Sequence, residues 1–409
     1  MPAKKKVMFF VRSFPVLSQT FVLNQVKDLV NEGMDVQVLS VNPTNDDKGV
    51  VEDIFGESAS KKVTSILPTV HSSKSYLHML LGFLYCMMSV KRHKLISLFF
   101  HFMAKKNKFL AKDLMCLVWF LRDKNITTDS CIAHFGSNGV VMDYLIEAGL
   151  VKCSNLFTIF HGYEISRYDQ LDLWQDLYGK LGGFLLPISE HWKNKLIELG
   201  ANASKIEVVH MGVDVDRFAY SEKVVSTPLS ILSVARATEK KGLKYAIEAV
   251  LECPIECEYK IIGDGALMDT LKQAVASHKN SHRVIFEGAK PSSFVAESLK
   301  NTDLFLLPSV RDSKGDMEGI PVSLMEAMAS GVVVLSTIHS GIPELISEGE
   351  TGFLVPEKDS NAISAKIVEI SQQSSLASIR EAARQKVIDE FNASTLQTQL
   401  INILKTKAC

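Results

Sequence analysis

Short apolar runs recur along the chain, each giving way to polar residues and then to a segment with helical spacing. Val7 to Val11, Val36 to Ser40, Ser130 to His134, Leu156 to Phe160 and Gly183 to Ser189 read as buried strands, each running into a loop. Thr20 to Asn31 reads as a helix between the first two. A polar stretch near Ser221 to Pro228 interrupts the pattern. It then restarts with strands at Leu229 to Ala235, Tyr259 to Gly263, Arg283 to Phe286, Asp303 to Leu307 and Val332 to Ser336, with helices between them. Strands that alternate with helices predict parallel sheets covered on both faces, so the fold class is α/β, with two doubly wound halves facing a cleft. The expected boundaries are 1–215 with a helical insertion near 74–122, then 216–385, then a C-terminal helix at 386–409 that returns to the first half. No solenoid period or low-complexity tract appears.

Composition fits this without demanding it. A chain of 409 residues, 46% hydrophobic and 22% charged, has the length of two or three globular domains. A net charge of −1 predicts no bulk attraction to nucleic acid. The 7 cysteines are scattered without paired metal-ligand spacing, and they read as reduced thiols of a cytoplasmic protein. The apolar run after Lys4-Lys5-Lys6 is too short for a signal segment and reads better as the first strand.

Charge is less even than its sum. From Ser58 through Lys112 there is no Asp or Glu, while lysines and Arg92 alternate with the apolar stretches Tyr76 to Val90 and Leu95 to Ala104. Neither stretch reaches the roughly 20 residues that a membrane span needs. Basic clusters interleaved with aromatic and aliphatic residues are what an interfacial helix presents to anionic lipid, although ordinary helices packed on a sheet would read similarly.

The segment from Arg311 to Gly331 carries the most chemistry. It reads as a loop feeding a helix, with Glu318 at the loop's end and Glu326 about two helical turns further on. Such a spacing alone means little, because Glu190 and Glu198 stand equally far apart. The setting is what matters: an apolar strand, Leu304 to Leu307, precedes the loop, and another, Val332 to Ser336, follows the helix. In this unit Gly319 permits close backbone approach, Pro321 suits the first helical position and the free amides favour an anion. Glu318 is expected to be a surface carboxylate that adds little to stability.

Continued to Gly341-Ile342-Pro343-Glu344 and Gly352-Phe353-Leu354-Val355, this segment resembles the signature of the retaining family 4 glycosyltransferases of the GT-B fold, built from two Rossmann-like domains. The resemblance implies that Glu318 binds hydroxyls of the donor sugar and Glu326 the nucleotide ribose, with Gly319, Ile320 and Pro321 also on the donor side. It extends over nearly the full chain but is loose between Asp46 and Ser130. Its first half then binds the acceptor and its second half the nucleotide sugar.

Further positions follow from the same resemblance. Arg236 and Lys241 stand beyond the restart strand and match the family's diphosphate-binding pair, where fixed cations would stabilise the charge of the leaving group. Gly263 in Ile261-Ile262-Gly263-Asp264-Gly265 and Gly288 in Glu287-Gly288-Ala289-Lys290 match turns that approach the nucleotide. His161 ends a strand before Gly162 and matches the family histidine at the reaction centre, and His134 before Phe135-Gly136 is a similar strand end. The stretch from Arg12 to Phe21 departs from the glycine-rich loop of many members and is similar to the colanic acid and amylovoran branch. Without those glycines, Ser18 and Thr20 become the polar groups on the acceptor or phosphate side.

What the resemblance implies is a retaining, metal-independent hexosyl transfer from a nucleotide sugar, with a UDP-hexose favoured over a GDP-hexose, and no cofactor beyond that co-substrate. The expected acceptor is a bacterial surface polysaccharide unit on a polyprenyl diphosphate, met at the anionic inner face of the plasma membrane. A nucleotide-sugar epimerase of the same architecture and an inactive membrane-associated scaffold are the alternatives.

Overall fold

The computed structural model describes residues 4–16, 19–43, 48–65, 75–221, 226–373 and 375–407. Ser18 therefore lies outside the described residues. Two six-stranded parallel sheets form the frame. The first contains β1 (Lys6–Phe14), β2 (Asp35–Pro43), β3 (Val63–Ser65), β4 (Ile126–His134), β5 (Val151–Phe160) and β6 (Phe184–Pro187), in the order β3-β2-β1-β4-β5-β6. The second contains β7 (Leu229–Val234), β8 (Cys257–Ile262), β9 (Val284–Gly288), β10 (Leu304–Leu307), β11 (Val333–Thr337) and β12 (Phe353–Val355), in the order β12-β11-β10-β7-β8-β9. Read from its own first strand, the second sheet repeats the order of the first. In each, the strand order reverses beside the first strand, between β1 and β4 and between β7 and β10. At such a reversal the flanking crossovers leave on opposite faces and open a crevice at the carboxyl ends.

The central strands are buried on both faces, which is why they read as near-continuous apolar runs rather than as alternation. Phe9, Phe10, Ile132 and Phe157 lie in one core and Ile231, Phe305, Leu306 and Val334 in the other. The expected strands are present, and the helix between β1 and β2 runs over Thr20–Asn31. The edge strands β3 and β12 were not anticipated, because three residues on a sheet margin leave almost no periodic signal.

The chain crosses between the two halves twice, and the crossings pair with each other. Val213 N–H donates to Phe391 O (2.9 Å) and Ala393 N–H donates to Val213 O (2.9 Å). The helix Ala377–Glu390 contributes Ala383 and Val387 to the second core, whereas Ala393–Thr406 places Leu400, Ile403 and Leu404 in the first. Further contacts cross the cleft. Glu344 of the second half accepts from Glu190 N–H (2.9 Å) and His191 N–H (3.0 Å), capping the helix Glu190–Glu198 of the first, and also bonds His210 (3.0 Å). Tyr168 N–H donates to Lys314 O (2.9 Å).

Three helices, Ser75–Met87, His93–Ala104 and Lys108–Leu121, lie between β3 and β4. The first packs closely on the third: a Cβ on Gly82 would lie 2.0 Å from Met115 O, so only glycine permits that approach. Its opposite face, with Tyr76, Leu77, Leu80, Leu84 and Met87, is exposed, followed by Met88 at 80% and Val90 at 81% exposure. Among the described residues, ten of the sixteen exposed large hydrophobic side chains fall between Tyr76 and Phe109. No described helix is long and apolar enough to cross a membrane.

Candidate active site

The loop between β10 and the helix Val322–Ala329 carries Glu318 into a cluster that is mostly buried. Its Oε2 accepts from Lys241 Nζ (2.9 Å), and its Oε1 lies 3.4 Å from Lys240 Nζ, which also reaches Asp316 (3.2 Å). Glu318 is 8% exposed, so the expectation of a surface carboxylate is wrong. The reason is tertiary, since the short helical turn at Glu239–Lys241, beyond β7, lies against the loop beyond β10. Burial pushes the Glu318 carboxyl up, but Lys241 and Lys240 outweigh it and hold it at about 2. The main chain is pinned as well. Glu318 N–H donates to His339 Nε2 (3.1 Å), so that nitrogen carries no hydrogen, and His339 Nδ1–H then donates to Glu357 Oε1 (2.6 Å).

Lys240, Asp316, His339 and Glu357 were not singled out from sequence. Lys240 was visible as the neighbour of Lys241. His339 stands just beyond β11, a strand end like that of His161, and its role depends on loops brought together from far along the chain.

Arg236 extends beyond β7 and is exposed. Among the described residues no carboxylate lies within ion-pair distance of it, so it is an available cation in the same loop beyond β7 that carries Lys241. Pro321 precedes the helix, which begins at Val322, and sits in an extended conformation at the cap rather than at the first helical position. Ile320 is buried in the second core. On the second turn of that helix Glu326 is half-buried, and burial pushes its carboxyl up to about 7, with Arg217 as the opposing charge. No hydrogen bond or ion pair joins Glu318 and Glu326 among the described residues.

The two glycine turns are coupled through their backbones. Gly263 N–H donates to Gly288 O (2.9 Å), and a Cβ on Gly263, at φ +140°, would lie 1.9 Å from Ala235 O. Gly263 is thus required by the packing of the turn on the end of β7. Gly288, at φ +71°, has open space at its Cβ position.

Across the cleft, β4 ends in His134 and His161 stands just beyond the end of the neighbouring β5. His134 Nδ1 and His161 Nε2 are 3.1 Å apart, and the rings stack with centroids 5.3 Å apart. Phe21 and Phe135 pack on His161 at 4.5 and 4.6 Å. Burial lowers the pKa of His161 to about 3 and that of His134 well below the ordinary range, which favours the neutral form of both rings. His134 is wholly buried, stacked on both Phe9 and His161. Beneath them Glu164 accepts from His161 N–H (2.9 Å) and Gly136 N–H (3.1 Å), tying the two strand ends together. Burial pushes this carboxyl up to about 7, against those backbone bonds. Glu164 was not singled out from sequence; the signal was a carboxylate three residues beyond a strand-end histidine. Thr20 is exposed at the start of its helix, where Gln19 supplies no side-chain cap.

The halves meet at this point. A Cβ on Gly319 would fall 2.6 Å from Ile188 Cδ1 and 3.8 Å from His161 O. Glu318 and its partner Lys241 therefore border the cleft on one side, with His161 on the other.

Residues 216–386 match the family model "Glycosyl transferases group 1". The chain is 36% identical to the putative colanic acid biosynthesis glycosyltransferase WcaL of Salmonella typhimurium, over 98% of this chain and 100% of that one. It is 38% identical to the amylovoran biosynthesis glycosyltransferase AmsK of Erwinia amylovora, again over 98% and 100%. The chain belongs to this glycosyltransferase family. It is a GT-B transferase of the colanic acid and amylovoran branch, acting in exopolysaccharide biosynthesis. The transferase also shares its fold with Anabaena HepE, solved in complex with UDP, at TM-score 0.69 and 18% identity, covering 98% of this chain and 100% of that one.

Proposed function

We propose that this transferase moves a hexose, with retention at the anomeric carbon, from a UDP-hexose to a growing polysaccharide unit on a polyprenyl diphosphate. The observation that carries this reading is the buried Lys241–Glu318 pair at the ends of β7 and β10, where the adjoining Gly319 approaches His161 of the other half. The bond between the anomeric carbon and the diphosphate oxygen breaks while an acceptor hydroxyl attacks on the same face. Its proton passes to the departing phosphate, and no protein nucleophile or metal takes part. Arg236 and Lys241 neutralise the charge that grows on the diphosphate, which favours the transition state over the ground state. Glu318 then turns from Lys241 toward the sugar hydroxyls, Glu326 holds the ribose, and the backbone at Gly288 and Gly263 borders the base. The choice of UDP draws on HepE, captured with UDP. The test is a panel of nucleotide sugars assayed with a chelator present, followed by the anomeric configuration of the product. Inversion, strict dependence on added divalent metal, or a new free nucleotide sugar formed from donor alone would overturn it.

Arg236→Ala is expected to weaken UDP binding by about 1.5–3 kcal/mol, the range for hydrogen bonds to charged groups. Arg236 is a cleaner probe than Lys241, because it has no ion-pair partner among the described residues to orphan. Unchanged affinity by calorimetry would count against the diphosphate site.

Ribose hydroxyls that donate to Glu326 favour its ionised form and lower its pKa on binding. UDP binding is therefore expected to release a proton, with affinity rising as pH approaches about 7 and levelling above it. In the free protein the sign is opposite: stability linked to Glu326 is fully present below its ordinary 4.5 and lost as pH rises through about 7. Glu326→Gln should then stabilise the free protein above pH 7 while abolishing the proton release, measured by calorimetry in buffers of differing ionisation enthalpy.

A further inference from the structure

The stacked histidines at the ends of β4 and β5 share one hydrogen bond, between His134 Nδ1 and His161 Nε2 (3.1 Å). A neutral imidazole has one N–H and one bare nitrogen, so this bond couples the two rings. If His134 donates, His161 Nε2 is bare and its hydrogen sits on Nδ1. If His161 donates, His134 Nδ1 is bare and its hydrogen sits on Nε2. Either way both rings carry hydrogen on the same named atom. Protonating either ring would place a charge between Phe9, Phe21 and Phe135, with no carboxylate among the described residues bonded to the imidazoles. His134 Nε2 is buried without a partner among the described residues, so the coupling ends there. At the other end, His161 Nδ1 has no partner among the described residues, and His161 is only half-buried, at the rim where Gly319 approaches.

We propose that His134 is a positioning residue that holds His161 in a single neutral tautomer, with Nε2 engaged and Nδ1 alone presented to the sugar being transferred. The inference rests on the glycosyl-transfer reading, which gives His161 a sugar to meet. It adds that His161 acts as a fixed hydrogen-bonding group and never as a cation. That suits a centre where positive charge builds at the anomeric carbon, because an imidazolium there would oppose it. The Glu164 carboxyl holds the His161 main chain and leaves the ring to His134. Glu164 itself feels Asp316 from the second half, and these two acids are the charged groups to separate from the imidazoles in any pH profile.

Two substitutions and one spectrum test this. His134→Phe keeps an aromatic ring in the apolar space but removes the hydrogen bond. It should lower kcat for donor turnover on the order of 10- to 100-fold through misplacement of His161, with the Kd of UDP unchanged. His161 stays in the same apolar surroundings, so no histidine ionisation should enter the pH–rate profile between about pH 5 and 8. His134→Asn carries an amide where Nδ1 stood and should restore most of the rate. Near wild-type turnover by His134→Phe overturns the proposal, as does equal loss in both variants tracking a fall in Tm. If neither variant folds, the imidazole ¹⁵N spectrum of the wild-type chain decides. Matching neutral tautomers for both rings across about pH 5 to 8 support it, and a protonated, averaging or mismatched His161 overturns it. This spectrum does not depend on turnover, so a failure of all nucleotide sugars as donors would sink the transfer reading while leaving the coupling decided by itself.

Discussion

Glu318→Ala is expected to lower turnover by roughly 10²- to 10³-fold, the scale for losing one preorganised group at a reacting centre. It should also lower Tm. The carboxylate sits between Lys240 and Lys241 in a largely buried cluster, so its removal leaves ammonium groups uncompensated. Breaking one side of a buried pair costs on the order of 3 kcal/mol, softened here because Lys240 keeps Asp316. The pH dependence should show the same cluster. With the folded pKa at about 2 and the ordinary value at 4.5, its stabilisation is present above 4.5 and lost as pH falls through about 2. Glu318→Gln should therefore flatten acid unfolding in that window. The activity loss must be read at a temperature where the variant is folded by circular dichroism. Near-normal transfer by folded Glu318→Ala would remove Glu318 from the donor site.

The second large effect is expected at the membrane. The insertion exposes Tyr76, Leu77, Leu80, Leu84, Met87, Met88 and Val90 on one helix and its continuation, flanked by exposed Lys91, Lys106 and Lys108. A soluble protein keeps so contiguous an apolar face only where something covers it. The absence of acidic residues from Ser58 to Lys112 matches an anionic lipid surface. The three helices carry the face on the same half as His161. Each basic side chain near such a surface contributes on the order of 1 kcal/mol, and apolar side chains buried in the interface add to it. Reversing Lys106 and Lys108 to Glu should release the protein from phosphatidylglycerol vesicles at low salt while leaving donor hydrolysis unchanged. Leu80→Ser with Leu84→Ser should weaken the binding that persists at high salt. Lys105 is a poorer target, since it pairs with Asp172 (3.0 Å). If the wild type fails to sediment with these vesicles, the face is covered in some other way and the lipid-linked acceptor loses its main support.

What the sequence by itself determined is the frame. Apolar runs such as Val7 to Val11 and Leu304 to Leu307, alternating with helical spacing, sufficed for two parallel sheets, because a strand buried on both faces must be apolar throughout. The Glu318 to Glu326 segment, with its flanking strands, sufficed for the family. The three-residue strands β3 and β12 escaped, since margins of a sheet carry little pattern. Only the tertiary structure decided the state of the side chains. Nothing local in Glu318 says that it is buried, because Lys240 and Lys241 reach it from a turn 77 residues away in the chain. Nothing in His134 alone says that it stacks on His161, because that follows from the pairing of His134 with Ile159 in neighbouring parallel strands. Periodicity reports the environment averaged along an element, and so it fixes strands and helices. Burial and charge pairing at a site depend on which loops meet, and here they meet at the carboxyl ends of strands that lie far apart in sequence.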